Sequence, residues 1–362
     1  MWTYWICATT TGTKLAKVEP TGGSFSRRMN GVGSGSHEFV SSSLGLGDTV
    51  AARRASRLDL TRTWARTLVQ CWDDVPKYAG LIDGKSRKGN SVTISTVEMR
   101  EVFKYRTTFG LNGYSGFEDG KFEHKDQTLA SIAGQLLWVL MVGRTSNWQL
   151  PLILPPRGMA GTQDRSYHDF NLPVVETELT AIQDAEGGPD IDFEPSWAED
   201  GTLQWTSRVG NLSGNTLEWN LAAGAPALTD FGFVEDGNAQ GNIFYAVGNG
   251  SDRDLKVATS TSLLAGDDVA LERILQYSQE RNRTVLQGNA NEARNTFQKA
   301  TRQYSLSMQA DGTPGLSKVR LGQTVRTYTQ DDDWLADGWQ THRVVGFSGD
   351  LTNTIKLQLQ TL

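Results

Sequence analysis

The stretch CWDDVPKYAGLIDG, Cys71–Gly84, decides the fold because it shows how the chain turns between two apolar segments. Residues Trp64–Trp72 roughly alternate apolar and polar character, and residues Tyr78–Ile82 are again strand-like. The proline between these segments excludes a helix. Asp is a common turn residue, because its side chain can bond to its own backbone. We therefore predict that Asp73 and Asp74 lie at a solvent-facing hairpin turn and not in a catalytic cluster.

Short strands of this kind continue along most of the chain. Residues 1–120 are predicted to be β throughout, with the glycine-rich Gly31–Ser36 as a flexible loop. That segment is not a phosphate loop, since it lacks the Gly-Lys-Ser/Thr ending and no helical pattern follows it. The chain returns to a β pattern after residue 206 and ends in strands. Closely spaced strands with glycine turns favour a small barrel or sandwich.

Three segments have helical spacing of their apolar residues. The first follows a possible cap at Asp126, the second starts at about Asp267, and the third starts at about Asn289. Their inward-facing residues are predicted as Leu129, Ile132, Ala133, Leu136, Leu137 and Leu140; then Val269, Ile274 and Leu275; then Ala293, Phe297, Ala300 and Tyr304. The predicted fold class is therefore mainly β with α/β insertions. We predict an N-terminal β-barrel domain over 1–122, an inserted α/β domain over 123–205, and a mixed region ending in a C-terminal β-barrel over 206–362.

Charge composition argues against one class of function. The 362 residues include 35 Lys+Arg and 41 Asp+Glu, which gives a net charge of −6 and a pI near 5.4. A protein that binds nucleic acid tightly and non-specifically normally has a basic face or a high pI. A local basic patch stays open, and its densest candidates are Arg53, Arg54, Arg57 and Arg62.

Neither a secretion signal nor a membrane segment is expected. The start of the chain has no basic segment followed by an apolar one. The longest fully apolar run, Leu136–Val142, is far shorter than the roughly twenty residues that span a bilayer. Cys7 and Cys71 are expected to be buried free thiols, and the sequence leaves open whether they pair.

No catalytic, cofactor-binding or metal-binding residue is predicted. His37, His124, His168 and His342 are scattered without metal-ligand spacing. The trio Tyr167-His168-Asp169 is better explained as a surface turn, and no nucleophile motif anchors a triad. Acidic groups sit among Gly, Pro and Asn, so we assign them to turns: Asp190 and Asp192, Asp267 and Asp268, and Asp331–Asp333.

Several stretches, taken in order, resemble the hub or minor tail proteins at the tail tip of long-tailed bacteriophages of the siphophage type. Each stretch is weak alone, and their order along nearly the full chain carries the resemblance. They are Trp64–Ile82, Asp190–Trp197 with the following GTLQW, Asn242–Gly250, and the ending formed by Leu321–Arg326, Asp337–Trp339 and Arg343–Asp350.

The resemblance implies a structural protein of the virion. Such hubs are homotrimers in which two barrel-like domains per subunit build a pseudo-sixfold ring that continues the tail tube. The expected partners are the distal tail protein, other tail-tip or baseplate proteins and the tape measure protein, and the ring is assembled in the bacterial host cytoplasm. The genome DNA would pass through the lumen without specific binding. No cofactor is implied.

Two alternatives stay open, a tail-associated cell-wall hydrolase and a carbohydrate-binding receptor protein. Many relatives carry a C-terminal lysin or receptor-binding extension. The sequence stops at Leu362, directly after its last predicted strand, so we expect neither the extension nor hydrolase activity.

Overall fold

The computed structural model describes residues 1–108, 120–141, 146–223, 228–264, 266–267, 269–278 and 280–361. The strands are β1 Trp2–Ala8, β2 Lys14–Val18, β3 Gly22–Arg28, β4 Ser34–Val40, β5 Arg66–Trp72, β6 Val75–Lys88, β7 Ser91–Glu98, β8 Lys121–Gln127, β9 Leu152–Ile153, β10 Gln163–His168, β11 Asp190–Trp197, β12 Leu203–Gly210, β13 Leu217–Asn220, β14 Leu228–Asp236, β15 Ile243–Val247, β16 Val257–Thr261, β17 Glu272–Gln276, β18 Thr301–Gln309, β19 Thr324–Thr329, β20 Gly338–Asp350 and β21 Thr354–Thr361. The α-helices are α1 Val50–Leu60, α2 Leu129–Val139, α3 Val175–Gln183 and α4 Arg283–Phe297. The predicted fold class, mainly β with α/β insertions, is confirmed.

The hairpin predicted from the opening stretch joins β5 to β6. The strands are antiparallel, with Gln70 opposite Tyr78. Asp73 and Asp74 form the turn with φ angles of 47° and 62°, and both side chains are exposed. Asp is among the few residues that adopt this left-handed conformation readily. The prediction of a solvent-facing turn is confirmed.

One large sheet joins the two ends of the chain. Its strand order is β14-β18-β21-β20-β3-β4-β7-β6-β5-β1-β2, with β19 pairing to β20 and β13 pairing to β19. The junction is the antiparallel pair of β3 and β20, in which Ser24 is opposite Asp350. The β-rich regions at the two ends of the chain therefore share a continuous hydrogen-bonded sheet.

The large sheet buries two hydrophobic clusters, one mainly N-terminal and one mainly C-terminal, although Phe25, Trp72 and Tyr78 of the N-terminal strands belong to the second. The N-terminal core includes Ile6, Phe39 and Leu68, and the C-terminal core is built around Leu306, Phe347 and Leu357. Apolar side chains alternate with polar ones along several of these strands, so one face is buried and the other is more exposed, whereas β5 is buried on both faces. β4 shows this in its buried His37 and Phe39 between exposed neighbours.

Two smaller α/β units interrupt the large sheet. In the first, α2 and α3 pack with the β11-β12-β9 sheet around a third core that includes Leu136, Leu179 and Trp205. In the second, α4 covers one face of the β16-β15-β17 sheet through Leu286 and Ala290. The domain boundaries predicted at 122/123 and 205/206 stay predictions.

The expectation of β structure throughout residues 1–120 was wrong at α1 and at the 3₁₀ helix Met99–Tyr105. α1 is a helix, which Thr49 caps by accepting a hydrogen bond from Ala52 N at 3.1 Å. It was missed because it is almost entirely polar or exposed and has no apolar period. The Gly31–Ser36 segment is not simply a loop either, since its last residues open β4, where Ser36 pairs with Ser95.

The helix predictions were partly correct. α2 forms, but its cap is Thr128, which accepts from Ser131 N at 3.2 Å, and not Asp126. The helix expected from about Asp267 was wrong: β17 occupies this part and pairs in parallel with β15. Its predicted inward residues Val269 and Ile274 are 71% and 65% exposed. Asp268 lies outside the described residues.

The third helix starts earlier than expected and ends sooner. α4 begins at Arg283, with Asn282 as its cap, and ends at Phe297. Tyr304 lies in β18 and not on this helix. The β-branched Thr301, together with the alternation that follows it, matches a strand better than a continued helix.

Cys7 and Cys71 are buried free thiols, as predicted. They lie on the paired strands β1 and β5, but Cys7 is opposite Thr67 and Cys71 is opposite Thr3. Four residues of register separate them, which corresponds to about 13 Å along a strand. A disulfide requires Cα atoms within about 7 Å, so this geometry does not allow the pair.

Candidate functional site, a buried charged network

A buried arginine holds three parts of the chain together. Arg27, on β3, is 4% exposed. Its Nε donates to Glu98 Oε1 at 2.8 Å, and its Nη2 donates to Asp192 Oδ1 at 2.6 Å and to the Phe193 carbonyl at 3.0 Å. The second oxygen of Glu98 accepts from Gly33 N at 2.7 Å. The large sheet is thereby bonded to β11 of the first α/β unit.

The network continues toward the C-terminal region. Arg208, on β12, donates to Asp192 Oδ2 at 3.2 Å and to the Leu321 carbonyl at 2.9 Å. Arg320 binds both oxygens of Glu194, each at 2.7 Å. Bidentate arginine–carboxylate pairs are among the strongest ionic hydrogen bonds in proteins. The same acidic strand therefore contacts both ends of the chain.

A second set of contacts lies along β11. Asn30 donates to Asp190 Oδ1 at 2.9 Å and accepts from Ile191 N at 2.8 Å. Asp190 also forms an ion pair with Arg343 on β20. β11 is thus bonded on one side to the turn after β3 and on another to β20.

Burial and ion pairing set the charges of this network. Burial by itself would lower the pKa of Arg27, but Asp192 and Glu98 outweigh it and raise that pKa. Burial would likewise raise the pKa of Glu194, and its hydrogen bonds from Arg320 lower it instead. Lys77 has no carboxylate in hydrogen-bond contact within the described residues, and burial lowers its pKa to about 8. Its Nζ donates to the carbonyl of Ser317 at 3.0 Å.

The assignment of Asp190 and Asp192 to turns was wrong. Both lie in β11, which pairs with β12, and Asp192 is 4% exposed. Flanking Gly and Pro suggested a turn, but the partners of these carboxylates are far away in sequence. Arg27 and Asp192 are 165 residues apart. Asp331–Asp333 do lie in an exposed loop between β19 and β20, as assigned.

This arrangement is suited to holding structure and not to moving protons. Each of Asp190, Asp192 and Glu194 is bonded to arginine, so none is a free carboxylate. General acid–base catalysis needs a group within reach of a substrate proton. Among the described residues no group of three or more His, Cys, Asp or Glu could hold a metal ion. That the chain has no catalytic, cofactor or metal site stays a prediction.

The histidines are dispersed through the structure. His37 is buried, and its Nε2 lies 3.1 Å from Gln70 Oε1. His342 is buried beside Tyr304, with Nε2 3.1 Å from Thr327 Oγ1. His124 is also buried. Burial lowers the pKa of all three, so they are neutral core residues.

The trio Tyr167-His168-Asp169 is only partly a surface turn. Tyr167 is buried on β10, and His168 ends that strand and stacks on Phe170 at 5.1 Å. A short 3₁₀ turn then begins at Asp169. The buried tyrosine shows that the strand, and not the turn, sets the position of this segment.

Close backbone packing completes the junction of the first α/β unit with the N-terminal region. Leu203 N donates to the Gly12 carbonyl at 2.8 Å. Gly12 has a φ of +70°, and a Cβ there would lie 2.0 Å from the Leu203 carbonyl oxygen. Trp197 Nε1 donates to the Asp74 carbonyl at 2.9 Å, and Lys14 Nζ lies 3.9 Å from the centre of the Trp197 ring.

No protein-family model and no curated protein matches the sequence. Solved structures do match the fold. The tail protein from Neisseria meningitidis MC58 has a TM-score of 0.56 at 10% identity, over 99% of this chain and 96% of that one. The 43 kDa tail protein of prophage MuSo2 from Shewanella oneidensis has a TM-score of 0.57 at 10% identity, over 100% and 97%. The chain has the fold of these tail proteins.

The tail-protein fold covers both β-rich regions and the α/β units between them, since the alignments extend over nearly the whole chain. The resemblance inferred from the sequence is confirmed at the level of the fold. The buried charged network lies where these parts meet. In the described ranges, no helix is long and apolar enough to cross a membrane.

Proposed function

We propose that this protein is a structural component of a bacteriophage tail, a trimeric hub at the tail tip. The observation that carries the proposal is the match of the full chain to two tail proteins, with both β-rich regions and the inserted units included. A likeness limited to one sheet would be far weaker support, because β folds recur in unrelated functions. The siphophage type is part of the proposal.

Two features of the molecule support a ring. Its two β-rich regions share one sheet and enclose two hydrophobic clusters, so each chain contributes two adjoining β units. Three chains would then supply six units to meet a sixfold tail tube. Closed cyclic symmetry uses a heterologous contact, in which one surface of a copy meets a different surface of the next. The buried network would hold each pair of units rigid within a chain.

In this role the ring connects the tail tube to the tip or baseplate proteins and forms part of the channel through which DNA leaves. The partners proposed are the distal tail protein, other tail-tip proteins and the tape measure protein. The domain boundaries proposed for such a hub are 1–122, 123–205 and 206–362.

A density map of the assembled particle tests the proposal. We expect three copies of this chain in a ring at the tail tip, coaxial with the tube. Six copies, one copy, or a position outside the tail would contradict the hub. A map that shows three copies within the tail but away from the tip would support the role in the tail and contradict the role as a hub.

We also expect that the purified protein does not digest cell walls, since the acidic residues of its central network are bonded to arginine. The measurement is the turbidity of a suspension of host cell walls after the protein is added. Clearing faster than in buffer alone, and lost in the Asp190→Asn and Asp192→Asn variants, would establish a hydrolase instead.

A further inference from the structure

One end of the large sheet is basic. Val40, the last residue of β4, is opposite Ser91 on β7, so α1 and the β6–β7 hairpin leave the sheet at the same end. They touch there, because Lys85 Nζ donates to the carbonyl and hydroxyl oxygens of Thr61, just after α1, at 3.1 and 2.9 Å. We call this surface the basic end, and its cations are Arg53, Arg54, Arg57, Arg62, Lys85, Arg87 and Lys88.

Within the described residues, little of the chain packs on the basic end. Of the residues of α1, only Leu60 is buried, while Val50 and Leu58 are 67% and 60% exposed. An isolated helix of this length is marginal in water, and most of its stability would come from packing. Within the described part of the chain, the side chains of Arg54 and Lys88 form no hydrogen bond or ion pair. The surface is both cationic and apolar.

The opposite end of the sheet carries an acidic loop. β20 runs from Gly338 to Asp350, and Asp350 is opposite Ser24, which is opposite Ser36 on β4. The residues before β20 therefore lie toward the end of the sheet away from α1. We call residues 330–337 the acidic loop; its carboxylates are Asp331, Asp332, Asp333 and Asp337, and it has no cation.

The acidic loop is ordered and also exposes an aromatic side chain. Asp332 Oδ1 accepts from Trp334 N at 2.8 Å and from Leu335 N at 2.9 Å, and Asp337 Oδ1 accepts from Asp331 N at 2.8 Å. Trp334 is 79% exposed. Exposed aromatic side chains beside charges are typical of protein interfaces.

We propose that the acidic loop of one copy docks on the basic end of the next copy, with Trp334 against Leu58 and Val50. The proposal rests on the hub ring and names the contact that closes it. Opposite ends of one sheet cannot meet within a chain, so a contact between them is head-to-tail between copies, as a closed ring requires. Complementary charge sets the orientation, and the exposed apolar side chains add buried area. The apolar side chains favour a protein partner over the phosphates of DNA.

Cross-linking between copies tests this contact on the full chain. Unlabelled and ¹⁵N-labelled protein are mixed, and a carbodiimide then joins amines to carboxylates in direct contact. We expect peptides that link Lys88 to Asp331 or Asp333 and that combine one labelled and one unlabelled partner. Absence of such mixed links at the highest soluble concentration overturns the contact.

Charge reversal identifies the groups responsible. Arg54→Glu with Arg62→Glu should weaken association about tenfold, as loss of two or more exposed pairs would. Adding Asp331→Asn and Asp333→Lys to that same chain should restore most of the lost association. The matched control, Arg253→Glu with Arg281→Glu, makes the same charge change on exposed residues of the second α/β unit and should leave association unchanged. Equal weakening in the control, or no restoration, contradicts the contact.

The outcomes separate this contact from the ring itself. A species with three times the 39.8 kDa mass of one chain but without the mixed links would overturn the contact and leave the hub standing. Mixed links in assemblies that never reach the threefold mass would support the contact and count against the ring. Binding of duplex DNA that Arg54→Glu with Arg62→Glu abolishes, without mixed links, would assign the basic end to nucleic acid and overturn the contact.

Discussion

Arg27 shows how much of this molecule depends on a single side chain. It is buried, and its two carboxylate partners belong to different sheets. Removing one member of such a network leaves charges buried without a partner, which costs far more than the intact network contributes. The residue is therefore more important for folding than its location in an ordinary sheet strand suggests.

We expect Arg27→Met to lower the free energy of unfolding by about 3–5 kcal/mol, because Glu98 and Asp192 lose their shared cation. The measurement is chemical denaturation followed by tryptophan fluorescence. The matched control is Arg28→Met at the next, exposed position of β3, where about 0.5 kcal/mol or less is expected. Similar losses in the two variants would show that the network is not a stabilising element.

Glu178, on α3, gives a prediction of pH dependence. Burial raises its pKa to about 7 against the opposing effect of Arg165. Its pKa in the unfolded chain is about 4.3. The folded state therefore binds the proton more tightly, and Glu178 lowers stability progressively as the pH rises from about 4.3 through 7.

Glu178→Gln should accordingly raise the melting temperature at pH 8 and have little effect near pH 4.5. Thermal unfolding at the two pH values is the measurement. Glu176→Gln on the same helix is the control: it breaks the pair with Arg100, whose Nε lies 2.9 Å away, and should destabilise at pH 8. A gain for Glu178→Gln that is equal at both pH values would rule out the titration.

At the scale of elements, the backbone conformation of its two turn residues stabilises the β5–β6 hairpin more than their charges do. Asp73 pairs with the amino group of Met1, but both partners are well exposed, so this contact adds little. Both turn residues have positive φ, which Asn tolerates as well as Asp does.

Changing Asp73 and Asp74 together to Asn should therefore shift the free energy of unfolding by less than about 1 kcal/mol. Changing both to Val should cost clearly more, because a β-branched side chain is strained in the left-handed region. Denaturant titration of the two double variants decides between these effects. A larger loss for the Asn variant than for the Val variant would mean that the carboxylates themselves matter.

The sequence predicted elements well where local pattern sets them. Alternation identified β5, β7 and β15, and helical spacing identified α2. α1 was missed because it is exposed nearly all round and has no apolar period. β17 was mistaken for a helix because the spacing of Val269, Ile274 and Leu275 resembles that of one face of a helix.

The central network could not have been predicted from one sequence. The Arg27–Glu98 pair spans 71 residues, and the Arg27–Asp192 pair spans 165. The pairing of β3 and β7 with β4 and the position of the first α/β unit bring these side chains together. The one available signal was the presence of two acidic residues, Asp190 and Asp192, at alternate positions of a strand-like segment. The flanking Gly and Pro residues, which are typical of turns, obscured it.

At the scale of the whole molecule, Gly12 lies where the first α/β unit packs against the β1–β2 hairpin, and its substitution tests that packing. Gly12→Ala would place a methyl group against the Leu203 backbone and should cost well over about 2 kcal/mol, since backbone cannot move aside as a side chain can. Gly89→Ala is the control, because that glycine has φ +59° but open space around it. It should cost about 1–2 kcal/mol from backbone strain alone. Equal losses in equilibrium unfolding would mean that the close packing does not matter.

The pairing of β3 with β20 also has a consequence for how the protein is made. Trp2 Nε1 donates to the Thr352 carbonyl, 350 residues further along the chain. β3 likewise pairs with β20, which lies near the other end of the chain. During synthesis, β3 therefore presents an unsatisfied strand edge until almost the whole polypeptide has left the ribosome. Folds dominated by such distant pairings form slowly and are prone to aggregate before they close. A cell making this protein in quantity would depend on chaperones to shield that edge until β20 arrives.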